Sequence, residues 1–275
     1  MTQDLNDIPT EALFDRALVA AAQEPLLESD DYWACVSALH RRSGTHVFEK
    51  AVTLCASGNS LARSVGADIL AQLGALERRN DALPFADSSA GVLVTLLDDR
   101  EPLVTMSALY ALGHLRRGIS TELARLTSHP SGEVRHALAY ALGGRDDDVA
   151  IQALIDLSAD TDADTRDWAT FALGVLSEQD SSVIRDALAA RLADEEHEVR
   201  VEAILGLAKR LDARATGPIL HELTKSDVPT LVIEAAEEMP SLGFLPHLEA
   251  LLAAHPEDET IQRAVARCRA LSAPE

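Results

Sequence analysis

The chain has 275 residues, of which 47% are hydrophobic, 25% are charged and only 4% are aromatic. This composition is typical of a folded protein, and the lack of long β-branched runs favours closely packed helices over sheets. The 45 acidic and 24 basic residues give a net charge of -21. That charge argues against nucleic acid as a partner, because phosphate binding needs clustered cations, and it suits a basic protein partner better.

The first part of the chain has no features of a targeting signal. Four acidic side chains lie within residues 1–15, where a secretory signal needs a basic start followed by an apolar stretch. No run of about 18 uncharged apolar residues occurs, so we expect no membrane-spanning helix. Cys35, Cys55 and Cys268 are scattered within apolar helical patterns, as is typical of reduced, buried thiols. We therefore expect a cytoplasmic protein without disulfides.

A phrase of the form Val-Arg-x-x-Ala-x-x-Ala-Leu-Gly recurs along the chain. Its clearest copies lie at 134–143, 165–174 and 199–208, and weaker copies occur between and beyond them. Aligned on the arginine, the anchors are Trp33, Arg63, Thr105, Arg135, Arg166, Arg200, Val232 and Gln262. Most intervals are near 31 residues, which is enough for two short helices and two turns. The sequence therefore predicts about eight helix pairs.

Each pair is predicted to consist of a first helix and a second helix that carries the phrase. The apolar spacing predicts first helices over 47–57, 90–98, 121–128, 149–158, 182–193, 217–225 and 244–254. Aspartate and serine precede several second helices, where they can cap exposed backbone amides. Glycines are predicted to end second helices at Gly74, Gly113, Gly143 and Gly174.

Two departures from the repeat are visible. The interval between Arg63 and Thr105 is 42 residues long, and its extra stretch, 77–89, is predicted to leave the array as a loop. The terminal repeats lack the arginine and several alanines, as capping repeats commonly do.

The repeated phrase resembles the HEAT-like repeats of phycobilin lyases and of bacterial adaptor-like proteins, over roughly residues 30–270. This resemblance implies an all-α fold, a right-handed α-α superhelix (alpha solenoid) of about eight helix pairs, forming one domain over 1–275. Such a fold says little about activity, because its members scaffold, chaperone, ligate or bind nucleic acid.

The anchor arginines share one repeat position and lie near acidic turns. Stacked repeats would bring Arg135, Arg166 and Arg200 into a ladder, in which bidentate pairing with carboxylates holds successive turns in register. We interpret this ladder as structural.

Three consecutive repeats carry an aromatic ring five residues after the anchor, on the predicted open side of the second helix. Exposed rings in a row are typical of binding hot spots, and carboxylates extend the same surface. The predicted partner-binding residues are Tyr110, Tyr140, Trp168, Phe171, Glu202, Glu234, Glu237, His114 and His136. The alternative is that the rings only fill the space between adjacent second helices.

A catalytic or metal site would need its functional residues at these same repeat positions. The chain also resembles the di-iron deoxyhypusine hydroxylases, whose second helices begin with His-Glu pairs. Here the matching place reads Arg135-His136-Ala137, so the carboxylate ligand is missing. No glycine-rich phosphate loop or nucleophile elbow occurs. We therefore expect no catalytic residue, no metal site and no cofactor.

The sequence thus predicts a non-catalytic scaffold or adaptor that holds a segment of a partner protein in its concave groove. An inhibitor or immunity protein for a basic partner is the sharper form of this hypothesis. A phycobilin-lyase-like enzyme or chromophore chaperone is the alternative. The partner's identity and the oligomeric state stay open.

Overall fold

The computed structural model describes residues 5–26, 28–42, 44–77 and 83–272. Within these residues all regular secondary structure is helical, and sixteen α-helices follow one another as eight pairs. None of these helices is long and apolar enough to cross a membrane. Backbone contacts divide the chain into two compact units, Met1–Leu142 and Gly143–Glu275, each with four pairs.

The first unit contains helices α1 to α8. They are α1 (Thr10–Gln23), α2 (Asp30–His40), α3 (Thr45–Cys55), α4 (Ser60–Leu70), α5 (Ala86–Thr95), α6 (Pro102–Leu115), α7 (Ser120–Ala124) and α8 (Gly132–Leu142). Each odd-numbered helix packs on the even-numbered helix that follows it. The even-numbered helices also pack on one another in chain order, α2 on α4, α4 on α6 and α6 on α8.

The second unit contains helices α9 to α16. They are α9 (Asp148–Leu157), α10 (Ala163–Phe171), α11 (Ser182–Arg191), α12 (His197–Lys209), α13 (Thr216–Leu223), α14 (Thr230–Glu238), α15 (Leu245–Ala254) and α16 (Glu259–Ala270). A π-helical turn, Ala172–Leu176, extends α10. The even-numbered helices again pack in chain order. The pairs of both units confirm the predicted all-α fold of HEAT-like repeats.

The apolar positions of the phrase form the core of each repeat. In α8, Val134, Leu138 and Leu142 are fully buried, and their spacing places them on one face of the helix. Burying one such side chain stabilises the fold by about 2 kcal/mol. The corresponding residues Val199 and Leu207 are fully buried in α12. The core therefore runs between first and second helices.

The turns before the second helices are closed by side-chain caps. Asp162 accepts a hydrogen bond from the Thr165 amide at 2.9 Å at the start of α10, and Ser131 accepts one from the Val134 amide at 3.4 Å before α8. Satisfying one of these exposed amides stabilises a helix by about 1 kcal/mol. The predicted caps are confirmed at these two turns.

The glycines serve two different purposes. Gly74 has a φ of 80°, so it follows α4 in the left-handed conformation that glycine favours. The prediction is wrong for Gly113, because α6 continues past it and Arg116, with a φ of 52°, is the left-handed residue. A Cβ on Gly113 would lie 2.7 Å from the Tyr140 ring. Gly113 therefore allows the close approach of an aromatic side chain.

The predicted loop over 77–89 is shorter than expected. Residues 78–82 lie outside the described residues, but α5 already begins at Ala86, so 86–89 form its first turn. Leu83, Ala86 and Ser89 are buried. These side chains attach the segment to the repeat, which is why it extends the first helix of the third pair.

Candidate functional site

The anchor arginines close the turns before their own helices. In four repeats the guanidinium donates to the backbone carbonyl six residues earlier, at distances of 2.7 to 3.0 Å. The pairs are Arg63 with Ser57, Arg135 with His129, Arg166 with Asp160, and Arg200 with Asp194. The shared contact makes the arginine a fixed part of the turn.

Arg63 and Arg166 also bind a carboxylate in the turn of the next repeat. Arg63 makes bidentate hydrogen bonds of 2.6 and 2.8 Å to Asp99, and Arg166 makes two of 3.0 Å to Asp194. The Arg63 guanidinium holds the pKa of Asp99 below its ordinary value. These contacts join consecutive repeats within each unit, as planar, bidentate arginine pairing does elsewhere.

Four ring residues of the first unit form a hydrogen-bonded cluster on α6 and α8. The Tyr110 hydroxyl lies 3.0 Å from Nδ1 of His136, and the Tyr140 hydroxyl lies 3.1 Å from Nδ1 of His114. The two tyrosine rings meet edge to face, with centroids 5.2 Å apart. We call these four residues the Tyr–His quartet.

The quartet is neither buried nor freely exposed. Tyr110, His136 and Tyr140 are half-buried and His114 is exposed. His114 keeps part of its surface in water, but desolvation of the covered part of its ring lowers its pKa, and burial raises the pKa of Tyr140, so both side chains are neutral at pH 7. Each phenol already has a hydrogen-bond partner, and the outer ring surfaces remain accessible. The quartet is therefore a half-exposed aromatic surface with fixed geometry.

A cavity of about 210 Å³ lies beside the quartet, in the same unit. Tyr110 and His114 of the quartet contribute to its wall. The other lining residues come mainly from α2, α4 and α6 and include Leu26, Trp33, His40, Asp68, Gln72, Met106 and Ser107. We call this cavity the Asp68 pocket. Sequence reasoning did not predict it.

Asp68 places a carboxylate in the wall of this pocket. It is only 6% exposed, and it accepts a hydrogen bond of 2.6 Å from the Tyr32 hydroxyl and another from Ser107. Burial raises the pKa of Asp68 to about 6, although both hydroxyl donors act in the opposite direction. Burial lowers the pKa of His40, which binds the Asp68 carbonyl, to about 4. At pH 7 the pocket thus contains an anionic Asp68 beside a neutral His40.

The predicted aromatic residues of the second unit lie together on α10. The Trp168 and Phe171 rings are half-buried, with centroids 5.4 Å apart. They form a smaller aromatic patch than the quartet.

The predicted acidic residues are less charged or less accessible than expected. Glu202 is 9% exposed, and burial, reinforced by the nearby charge of Asp167, raises its pKa to about 9. It is therefore neutral at pH 7. Glu234 is half-buried on α14, and Glu237 binds Arg263 through both oxygens at 3.1 Å. Glu202 is buried because α12 packs closely on α10 at this position.

Within residues 5–26, 28–42, 44–77 and 83–272 no group of three or more His, Cys, Asp or Glu side chains could hold a metal ion. Cys35, Cys55 and Cys268 are buried free thiols. Burial raises the pKa of the Cys55 thiol to about 12, which makes it a poor nucleophile.

Comparison with known proteins agrees with the repeat architecture. Residues 89–174 match a family model of HEAT repeats. Protein YibA of Escherichia coli strain K12 is 30% identical over 234 residues, covering 82% of this chain and 81% of YibA. A crystal structure of E. coli YibA superposes with a TM-score of 0.74 at 27% identity, covering 96% of this chain and 94% of the other.

More distant structures share the fold alone. A crystal structure of importin beta has a TM-score of 0.56 at 14% identity, covering 94% of this chain and 42% of importin beta. The family assignment depends on the sequence identity to YibA, which extends over four fifths of both proteins, and on the match to the HEAT-repeat model. The chain belongs to the HEAT-repeat proteins, in the family that includes E. coli YibA.

Proposed function

We propose that this HEAT-repeat scaffold is a non-catalytic interaction protein, and that the Tyr–His quartet binds a segment of a partner protein. The observation that carries the proposal is the fixed, half-exposed aromatic surface formed by Tyr110 and Tyr140. Tyrosines of this kind offer a large apolar contact area and are enriched among binding hot spots.

The hydrogen bonds of the quartet support binding in a second way. A side chain that is ordered only on association loses about 0.5–1.5 kcal/mol of conformational freedom. The bonds to His136 and His114 hold both phenols before any partner arrives. Contacts with the rings therefore contribute to affinity, and little conformational entropy is lost because the rings are already ordered.

The charge of the chain favours a basic partner. The net charge of -21 accelerates association with a cationic protein and makes binding sensitive to salt. The aromatic patch of Trp168 and Phe171 is a second contact surface in this proposal, and Glu234 and Glu237 are carboxylates of the same unit. An inhibitor or immunity protein for a basic partner is the sharper form of the hypothesis.

The test is selection of peptides from a phage-displayed library of random 16-residue segments on the purified protein. Affinities of the selected peptides are then measured by fluorescence anisotropy for the wild type, Tyr140→Ala and Trp168→Ala. We expect Tyr140→Ala to weaken binding at least ~10-fold, as hot-spot truncations do. Ile119→Ala, which removes an exposed apolar side chain of the same unit, is the control and should retain full affinity.

Thermal unfolding of each variant separates lost contacts from lost folding. The proposal is overturned if no peptide is selected, or if folded Tyr140→Ala and the wild type bind every selected peptide equally. A loss seen only with Trp168→Ala would move the binding surface to the second unit.

A further inference from the structure

We propose that the Asp68 pocket receives the ammonium group of a lysine side chain, which makes lysine the specificity-determining residue of the bound segment. The inference rests on the proposed function only for the source of that lysine. The pocket itself can be tested without any partner.

The charge of Asp68 has no cationic partner within the described residues. Its hydrogen-bond donors there are the neutral hydroxyls of Tyr32 and Ser107. An ionised carboxylate has about four lone-pair positions, so two hydroxyls leave acceptor capacity unused. A buried carboxylate without a counter-charge is unfavourable, and a cation that enters the pocket relieves this.

The walls of the pocket suit a long aliphatic stem that ends in a positive charge. Leu26 and Met106 offer apolar surface, and the rings of Trp33 and Tyr110 can face a cation. Trp33 is 36% exposed, which is unusual for so large an apolar side chain and leaves its ring accessible. Lysine snorkels in this manner, burying its methylenes along apolar surface.

Lysine fits the polar groups better than arginine does. An ammonium has three donors and behaves as a compact charge, whereas a guanidinium brings five donors in a rigid plane. The pocket wall contains one carboxylate, with Gln72, Ser107 and Tyr110 as the other oxygen-bearing side chains. Arginine would leave several donors without an acceptor.

The location links the pocket to the quartet. Tyr110 belongs to both, because its hydroxyl binds His136 while its side chain lines the pocket. A segment lying on the quartet therefore brings its own lysine within reach of Asp68. In the repeat register, Asp68 occupies the position that Tyr110 and Tyr140 occupy in later repeats.

The probe is Nα-acetyl-lysine methylamide, and its neutral control is Nα-acetyl-norleucine methylamide, which has a similar stem but no ammonium. Binding is followed by the fluorescence of Trp33 in a Trp168→Phe background, which removes the other tryptophan. For a ligand of this size we expect a Kd on the order of 1 mM, with the norleucine compound at least ~10-fold weaker.

Matched variants test the carboxylate. Asp68→Asn should weaken the lysine probe at least ~10-fold, because it removes the charge and keeps the shape. Glu49→Gln makes the same change in net charge at an exposed site on α3 and should have no effect. Thermal unfolding establishes that Asp68→Asn is folded.

A pH titration of the protein that retains Asp68 provides the same test without a variant at that position. Because the pKa of Asp68 is about 6, affinity for the lysine probe should rise roughly 10-fold between pH 5 and pH 7.5. The other groups facing Asp68 do not gain charge over the upper part of this range. His40 and His114 have lowered pKa values, and Tyr32 and Cys55 have raised ones.

Equal binding of the lysine and norleucine probes overturns the inference, and so does full affinity in folded Asp68→Asn. If the lysine probe fails while selected peptides still depend on Tyr140, the quartet proposal stands and the pocket proposal falls. If the lysine probe binds but peptide affinity does not depend on Tyr140, the pocket proposal stands and the quartet proposal falls.

Discussion

Replacing Glu202 by glutamine should stabilise the protein at neutral pH, although glutamate is the native residue. Glu202 is buried on α12, and its pKa rises from the ordinary 4.5 to about 9. In the unfolded chain the carboxyl ionises freely at pH 7, whereas the folded protein keeps it protonated. That difference costs about 3 kcal/mol of stability at pH 7, from about 1.4 kcal/mol for each pH unit above the unfolded pKa.

The sign of the pH dependence follows from the raised pKa. The contribution of Glu202 to stability is intact below pH 4.5 and is lost progressively as the pH rises toward the folded pKa near 9. Glutamine keeps the shape of the protonated acid and does not titrate. Its extra amide hydrogens need a partner, which offsets about 1 kcal/mol. We therefore expect Glu202→Gln to gain about 2 kcal/mol at pH 7 and more at pH 8.5.

The assay is urea unfolding, followed by far-ultraviolet circular dichroism at pH 5, 7 and 8.5. The difference between variant and wild type should grow with pH, which separates Glu202 from every group that both proteins share. Glu257→Gln, at an exposed position of the same unit, is the control and should give a difference near zero at each pH. A Glu202→Gln difference that stays constant from pH 5 to 8.5 would refute a neutral, buried Glu202.

Gly113→Ala should destabilise the protein by about 2 kcal/mol in urea unfolding, because the new Cβ overlaps the Tyr140 ring. Gly91→Ala, where nothing lies within 4 Å, should instead be neutral or stabilise α5 by about 0.5 kcal/mol, and equal losses at both glycines would contradict the packing argument. Arg166→Met should lower stability by about 2 kcal/mol, because the Asp194 carboxylate it binds is 3% exposed and keeps Arg191, at 3.2 Å, as its remaining cation. Arg185→Met breaks a more exposed pair, which solvent screens, and should cost much less; a loss as large as that of Arg166→Met would argue against burial as the cause.

Much of the fold follows from local sequence, because each repeat packs on its immediate neighbours. The phrase places apolar side chains at helical spacing, and this alone locates second helices such as α8 and α12. Contacts between repeats are what the pattern does not contain. Gly113 is needed for a ring 27 positions later, and 86–89 are helical because they pack on the repeat.

The candidate site, too, could be predicted from the sequence only in part. The repeat register places Tyr110 and Tyr140 on one surface, with His114 and His136 beside them. Their reciprocal hydrogen bonds, however, depend on the approach of α6 to α8. Asp68 was missed because its role depends on Tyr32, which lies 36 residues earlier. One feature of the sequence did point to Asp68: it has a carboxylate at the repeat position where Tyr110 and Tyr140 have aromatic rings.

Different positions of the repeat have different structural roles. One position holds the turns together, and another is free to vary. The anchor arginine binds backbone carbonyls of its own turn in four repeats, and at Arg63 and Arg166 it also binds the next turn. Five residues later the side chain lies at the other end of the helix, away from those contacts, so that position can change while the turns remain. It is aspartate at 68 and tyrosine at 110 and 140. Variation there changes the side chains at this position, and with them the binding that we propose for this surface, without removing the arginine contacts that hold the repeats together.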